Sequence, residues 1–521
     1  MIHAQSSPCY TCRTRRIQCD QSGVPCTKCE KAGLECLDKR PIRWVKGVAV
    51  RGKMQGRSYA TSAASSGTGK ESGGLPGESR RALTKKTAPR CLERPESHGL
   101  SLSLPFALQD PSCRNLDRAS RYYIDYYNKR ICKLFIVYDS DRNPFRRLIS
   151  LGLKDQALLK ALLALAARHH ANNGQSFYQP EETPTLLPLI NANRSALSFK
   201  HQAMEALSHS LRDARRLKQD TTVASIFLLI FLDLLESGSD GWNLHLEGAK
   251  NLIASTYPQS VSPAGVNRGP GETVQEIRGF ITKQIRLIET LGATFLRPRL
   301  LSQFSSFYQP ELQPRETVEQ SFLGCPDYIL TAIQRLSMHR DSIHEAKPLD
   351  PDVIRSHSEE TARLLELVRN FDSHAWVSNL QQSRQSSPEE VVSLSKLSES
   401  YQLGTLLYGR RILDALTEEV TAQEELVLEL LGLVDSLKGD TDMFKCILWP
   451  VFIAGLECDW QAQRDFVVGC LERFWAITNC LNAVNAAKIL QEYWRQNISP
   501  EKARSQWIFN IGQLGRDWLW I

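Results

Sequence analysis

From about residue 115 onward, apolar side chains return every three to four positions, the spacing of one face of an α-helix. The segment DQALLKALLALAARHHANN carries Leu158, Leu159, Leu162, Leu163, Leu165 and Ala166, apolar over most of its circumference, which predicts a helix inside a bundle. TTVASIFLLIFLDLLESG opens on a threonine cap candidate, runs apolar through Leu235 and stops at Gly238. The same periodicity predicts helices over 117–136, 195–217, 242–256, 274–296, 326–344, 351–371, 392–417, 422–438, 443–458, 462–478 and 480–496. Alternating Val/Ile/Thr runs bounded by turn signals are scarce. The expected fold is therefore mainly α, with residues 115–521 an all-α body of helical hairpins packed around long apolar faces.

The first part of the chain lacks this pattern. From about Ser58 to Asp110 it is rich in Ser, Gly, Pro and Lys/Arg, which predicts a flexible tether within a 39–114 linker. GTGK in this stretch fails as a phosphate-binding loop, because Glu71 follows Lys70 and Ala64 stands where the first glycine is needed. No apolar a/d heptad runs between Leu37 and Leu116, so a coiled-coil homodimer there has no support and monomer versus dimer stays open.

Composition narrows the class. At 42% hydrophobic and 23% charged, the 521-residue chain is no fibrous or wholly disordered protein. Its longest apolar run, Ile226–Leu232 and on to Leu235, is shorter than the roughly 18–20 residues that span a bilayer, so no membrane partner is expected. The opening residues lack the layout of a secretory signal, so the cysteines are expected as thiols or metal ligands in an intracellular protein. The net charge of +7 is unevenly spread: residues 1–100 hold 19 Lys/Arg against 8 Asp/Glu, the remainder 45 against 49. A basic end on a mildly acidic body suggests a polyanion-binding module joined to something else.

Six of the 14 cysteines, Cys9, Cys12, Cys19, Cys26, Cys29 and Cys36, repeat C-x2-C-x6-C twice. Two thiolates two residues apart can turn back onto one tetrahedral zinc. Six thiolates satisfy two four-coordinate ions only if two of them bridge, and the repeat makes the bridging pair equivalent residues. The segment has too little apolar content for a core, so metal must replace one and the module should unfold without it. The halves differ in charge. Between its second and third cysteines the first carries Arg13, Arg15, Arg16 and Gln18, the second Glu30, Lys31 and Glu35. The first half is thus the one expected to face DNA. Ile17 and Leu34, at equivalent positions, are expected to pack between the halves.

CYTCRTRRIQCDQSGVPCTKCEKAGLEC resembles the binuclear zinc cluster of fungal transcription factors, at every ligand position and in the basic run. The resemblance implies two Zn2+ ions bridged by Cys9 and Cys26 in a DNA-binding domain of residues 9–38. It implies that Arg15 and Arg16 contact a C/G-rich, CGG-like triplet in double-stranded DNA, with Arg13 on a phosphate. Gln18 departs from the lysine frequent there, and Pro25 abuts Cys26 where the family commonly has P-x-C. Two zinc ions and six thiolates sum to about −2, which leaves the module near neutrality. Lys39, Arg40, Arg43 and Lys46 then open an acid-free basic run to Arg57 that suits phosphates and nuclear import. That run also resembles the region after the cluster in acriflavine-sensitivity control regulators.

LLKALLALAARHH, WNLHLEGAKNLI, LSESYQLGTLLYGRRIL and LWPVFIAGLECDWQAQRDF, in this order, resemble the regulatory domain of the same fungal family. The implied protein is a nuclear regulator of RNA polymerase II transcription that meets coregulators; such regulators often control metabolic or secondary-metabolite genes. The competing classes are a helical enzyme and an interaction scaffold, each with an accessory zinc module. Thiolate-saturated zinc leaves no open position for substrate, and no H-E-x-x-H, G-x-S-x-G or kinase signature occurs, so no enzyme is expected. His169 and His170 are adjacent and cannot chelate jointly as an i, i+4 pair would, and His245 is read as a satisfied helix histidine. Cys446, Cys458, Cys470 and Cys480 are expected as core thiols. Seven of ten tryptophans lie at or after Trp449, and the final RDWLWI is expected to dock as a helix or strand rather than form an activation surface.

Overall fold

A computed structural model describes residues 8–22, 25–37, 116–179, 186–239, 241–256, 272–295, 323–345, 350–380, 387–495, 507–509 and 518–521. The chain divides into two compact units, residues 1–99 and 100–521. Lys39, Arg40, Arg43, Lys46 and the rest of the expected linker fall outside the described residues.

In the first unit, two five-residue helices, Tyr10–Thr14 and Thr27–Lys31, each follow a cysteine N-cap. Among the described residues its buried core consists of cysteines alone.

The second unit is all helical among the described residues, apart from one isolated antiparallel bridge. Two helices are buried nearly all round, as their unbroken apolar sequences require. Gln156–Asn172, started by Asp155 accepting from Leu158 N, buries 13 of its 17 residues; Asp220–Glu236 buries 14 of 17. They pack on each other and against the long helix Leu187–Arg212. A second centre forms around Pro388–Thr417, which contacts Asp327–Glu345, Pro351–Arg369, Ser373–Leu380, Glu424–Leu437 and Leu448–Leu456. Gly404 permits one of these contacts. A Cβ there would lie 2.8 Å from the ring of Trp449, itself stacked on Tyr401. Leu481–Arg495 touches both Asp220–Glu236 and Leu448–Leu456, and a single hydrophobic core runs through the body.

Several boundaries depart from the sequence reading. The 117–136 helix is three pieces: Arg118–Tyr126, a π-helical turn Tyr127–Ile131, and Cys132–Leu134. The expected 195–217 helix begins earlier, at Leu187, and ends at Arg212. Asp220 rather than a threonine opens the apolar helix, with Gln219 at its cap. The expected 443–458 helix breaks into Thr441–Phe444 and Leu448–Leu456. Pro144–Gly152 is an additional helix, capped by Asn143 with proline at its first turn.

The terminal segment docks. Trp518, Leu519, Trp520 and Ile521 are buried; Leu519 N donates to Gly238 O at 3.0 Å, and Asn482 Nδ2 donates to the carbonyls of Leu519 and Ile521. Its only pairing among the described residues is the Ser239–Trp518 bridge, and Trp520 stacks on Phe452. The tryptophans there serve the core, not an exposed activation surface. Cys446, Cys458, Cys470 and Cys480 are buried, and burial pushes each thiol up to about 12, so they are inert core thiols.

Candidate metal centre and nucleic-acid interface

Each half of the first unit starts from the same local device. A cysteine caps a single helical turn, and the second cysteine of the C-x2-C pair lands on the same side. Cys9 Sγ accepts from Cys12 N at 3.3 Å. The sulfur atoms of Cys9, Cys12, Cys19 and Cys26 lie within 4.8 Å of one another, and so do those of Cys9, Cys26, Cys29 and Cys36. The two groups share Cys9 and Cys26, the equivalent pair under the repeat. Cys9–Cys26, Cys9–Cys29 and Cys12–Cys26 sulfurs stand 3.8, 3.8 and 3.6 Å apart. A tetrahedron with Zn–S bonds of about 2.3 Å has an edge of about 3.8 Å, whereas a disulfide would need about 2.05 Å. All six are free thiols, five of them buried. The donor set fits two zinc ions.

Protonation points the same way. Burial raises the Cys9 and Cys26 thiols, but it is outweighed. Backbone hydrogen bonds from Cys12 and Cys29 respectively, with those of neighbouring thiols, hold both below the ordinary value. Cys29, by contrast, is pushed up by burial to about 12. Zinc requires thiolates, and the two shared sulfurs are shifted toward that form.

Polar clamps not foreseen in the sequence close the module. Tyr10 N donates to Leu37 O at 2.6 Å, Thr11 Oγ1 to Glu35 O at 2.7 Å, and Leu37 N to Thr11 Oγ1 at 3.1 Å. Asp20 receives Ser22 Oγ, Thr27 Oγ1 and Thr27 N, tying the loop between the halves to the second helix. These hydroxyls hold the Asp20 carboxyl well below the usual carboxylate range.

Arg13, Arg15, Arg16 and Gln18 are all exposed, and no carboxylate among the described residues pairs with any of the three arginines. Arg13 lies 5.8 Å over the ring of Tyr10. Arg16 has φ +54°, in the left-handed region, and so does Gly33 at +60°, its counterpart 17 residues on. The fold asks for the same turn in both halves; one uses glycine and the other an arginine. Ile17 and Leu34 do not pack between the halves as expected: they are 39% and 42% exposed. With only cysteines at the centre, the module is too small to cover them.

The body offers no comparable cluster among its described residues. His169 is buried and held neutral: burial first, then Arg130 and His170, bring it down to about 4. His245 lies 3.6 Å from Asp233, and burial lowers it too. No described helix is long and apolar enough to cross a membrane.

Comparison with known proteins agrees with this division. The fungal Zn(2)-Cys(6) binuclear cluster domain matches residues 7–44, and the fungal-specific transcription factor domain matches residues 121–520. The chain belongs to the family of fungal transcription factors that carry these two domains. It is a zinc-cluster transcriptional regulator, and its domains are DNA-binding and regulatory rather than catalytic. It is similar to the acriflavine sensitivity control protein acr-2 of Neurospora crassa, 24% identical across 94% of this chain and 92% of that protein. It is also similar to the transcriptional regulatory protein pro1 of the same fungus, 31% identical over 123 residues, 21% of this chain and 17% of pro1. No solved structure matches.

Proposed function

We propose that this chain is a nuclear, zinc-dependent regulator that reads CGG-like triplets in promoters served by RNA polymerase II. The observation that carries the reading is the pair of four-sulfur groups sharing Cys9 and Cys26 beside three unneutralised arginines. Cys9, Cys12, Cys19, Cys26, Cys29 and Cys36 hold two Zn2+ ions, with Cys9 and Cys26 bridging. These ions supply the module's core, and their ligand shells are filled by thiolate, so they fix shape rather than perform chemistry. Arg15 and Arg16 read the triplet in the major groove, while Arg13 and Gln18 lie at its edge. Lys39, Arg40, Arg43 and Lys46 add sequence-independent phosphate contacts.

In this division of labour, residues 9–38 find the site, 39–114 tether, and 115–521 meet coregulators. The likeness to an acriflavine sensitivity control protein supports control of metabolic or secondary-metabolite genes. Elemental analysis and duplex binding by the full-length chain test the reading. Two zinc atoms per chain, with specific binding lost on chelation and restored by zinc, are expected; one zinc or none, or chelator-resistant specific binding, contradicts it.

A further inference from the structure

The helical body contains a cavity of about 460 Å3 whose lining is unusual in charge. Tyr126, Lys129, Arg130 and Lys133, at i, i+3, i+4 and i+7, contribute one wall, and the π-helical turn Tyr127–Ile131 runs through it. Such turns widen the helix by one residue and recur at functional sites. The opposite wall comes from Thr441, Asp442 and Lys445 and from Asn479, which sits in the left-handed conformation that ends helix Gln461–Thr478. His169, Asn173 and the apolar Leu134, Ala476 and Ile477 complete the lining, with the Tyr126 hydroxyl 2.9 Å from His169 Nδ1. Four cations thus face one acid.

Internal pairing does not account for this excess. Lys129 meets Asp125 at 2.8 Å, but Lys133 is 3.9 Å from Asp139, which is already engaged by Arg146. Arg130 pairs with no carboxylate among the described residues. Lys445 is the most telling. Its side chain is only 5% exposed, and its one acid partner among the described residues is the largely solvated Asp442, at 2.9 Å. Burying an ammonium costs free energy unless it is well paired, and gathering three more cations around it adds repulsion. An anion in the cavity relieves both. We infer that this cavity binds a small, multiply charged anion, a phosphate ester or a polycarboxylate, with Arg130, Lys133 and Lys445 as its principal partners. The volume lies in the range of small-molecule sites, and the polar, cationic lining disfavours an apolar ligand. Its role as an effector site rests on the regulator reading above; the binding itself does not.

The test is calorimetric titration of the full-length, zinc-loaded chain, without DNA, at fixed ionic strength. One arm uses phosphoglycolate and the other tricarballylate, a metal-poor tricarboxylate, so the two anion sources are distinguished. One saturable site per chain is expected for at least one probe. Affinity should fall tenfold or more in the R130A/K133A double variant, whose altered side chains are exposed, and stay unchanged in R355A, which removes a solvated charge from another helix. Equal melting temperatures without ligand establish that the double variant folds. Absence of saturable binding by both probes overturns the assignment, as does binding that R130A/K133A leaves intact. Arg130-dependent capture of a hexaglutamate peptide with neither small probe bound also overturns it, in favour of an acidic protein partner. Because no DNA is present, failure here leaves the DNA-reading proposal standing, and the converse holds too.

Discussion

Arg16 occupies a backbone conformation that costs a non-glycine residue about 1–2 kcal/mol, while the other half of the repeat uses Gly33 there. Nothing crowds a Cβ at Gly33, so backbone conformation alone separates the two positions. An arginine kept at that cost indicates a use for its guanidinium. Arg16→Gly should therefore leave the zinc module as stable as before or about 1 kcal/mol more so, while sequence preference on DNA collapses. Chelator titration reads the first effect and competition between specific and scrambled duplexes the second. Loss of both together would mean that Arg16 is structural.

Two buried groups in the body give further residue-scale expectations. Arg411 donates to Glu457 at 2.6 and 2.9 Å and to Asp414 at 2.7 Å, and Trp507 also donates to Glu457. Arg411→Ala strands two buried carboxylates and should destabilise the body by roughly 3–5 kcal/mol, read as a lowered thermal or urea midpoint. Asp233 is pushed up to about 7 from 3.8, by burial first, with Lys200 opposing and Glu236 adding to the rise. Folding therefore takes up a proton between those values. This stabilising contribution is full below about pH 4 and is lost as pH rises through 7. The melting temperature of wild type should fall relative to Asp233→Asn between pH 5 and 8; parallel profiles contradict the assignment.

At the scale of elements, sequence was informative where one physical signal dominates. The 156–172 and 220–236 helices are legible because their apolar runs leave no exposed face, and the grouping of the six cysteines because their spacing is local in sequence. The π-helical turn at Tyr127–Ile131 was not, since a shift from i+4 to i+5 hydrogen bonding leaves the side-chain pattern almost unchanged. Pro144–Gly152 is not legible because nine residues interrupted by Arg146 and Arg147 give too short a pattern. The start of Pro388–Thr417 carries a local signal. Ser387 and Glu390 form a capping box with Pro388 at the first turn, but this signal lies before the apolar periodicity begins. Ser387→Ala should cost about 0.5–2 kcal/mol and fray that first turn, seen as faster amide exchange over 388–392 with the helix centre unchanged. Repeat symmetry makes Ile17 and Leu34 equivalent but does not bury them.

For the molecule as a whole, the charge of +7 describes neither unit. The cluster end is strongly basic and the helical body mildly acidic; among the described residues the former has cysteines where the latter has a hydrophobic core. A strong chelator should therefore unfold residues 8–37 while leaving the helical circular dichroism of the body nearly intact. Removing the basic run Lys39–Lys46 should lower the salt dependence of binding equally on all sequences, whereas replacing Arg15 and Arg16 should erase the preference among them. The most direct measurement is selection from a random duplex DNA pool by the full-length, zinc-loaded chain. The account predicts enrichment of a CGG-like triplet that disappears on chelation and in the Arg15→Ala, Arg16→Ala double variant. Recovery of no preferred sequence, or of the same sequence with both arginines replaced, would contradict it.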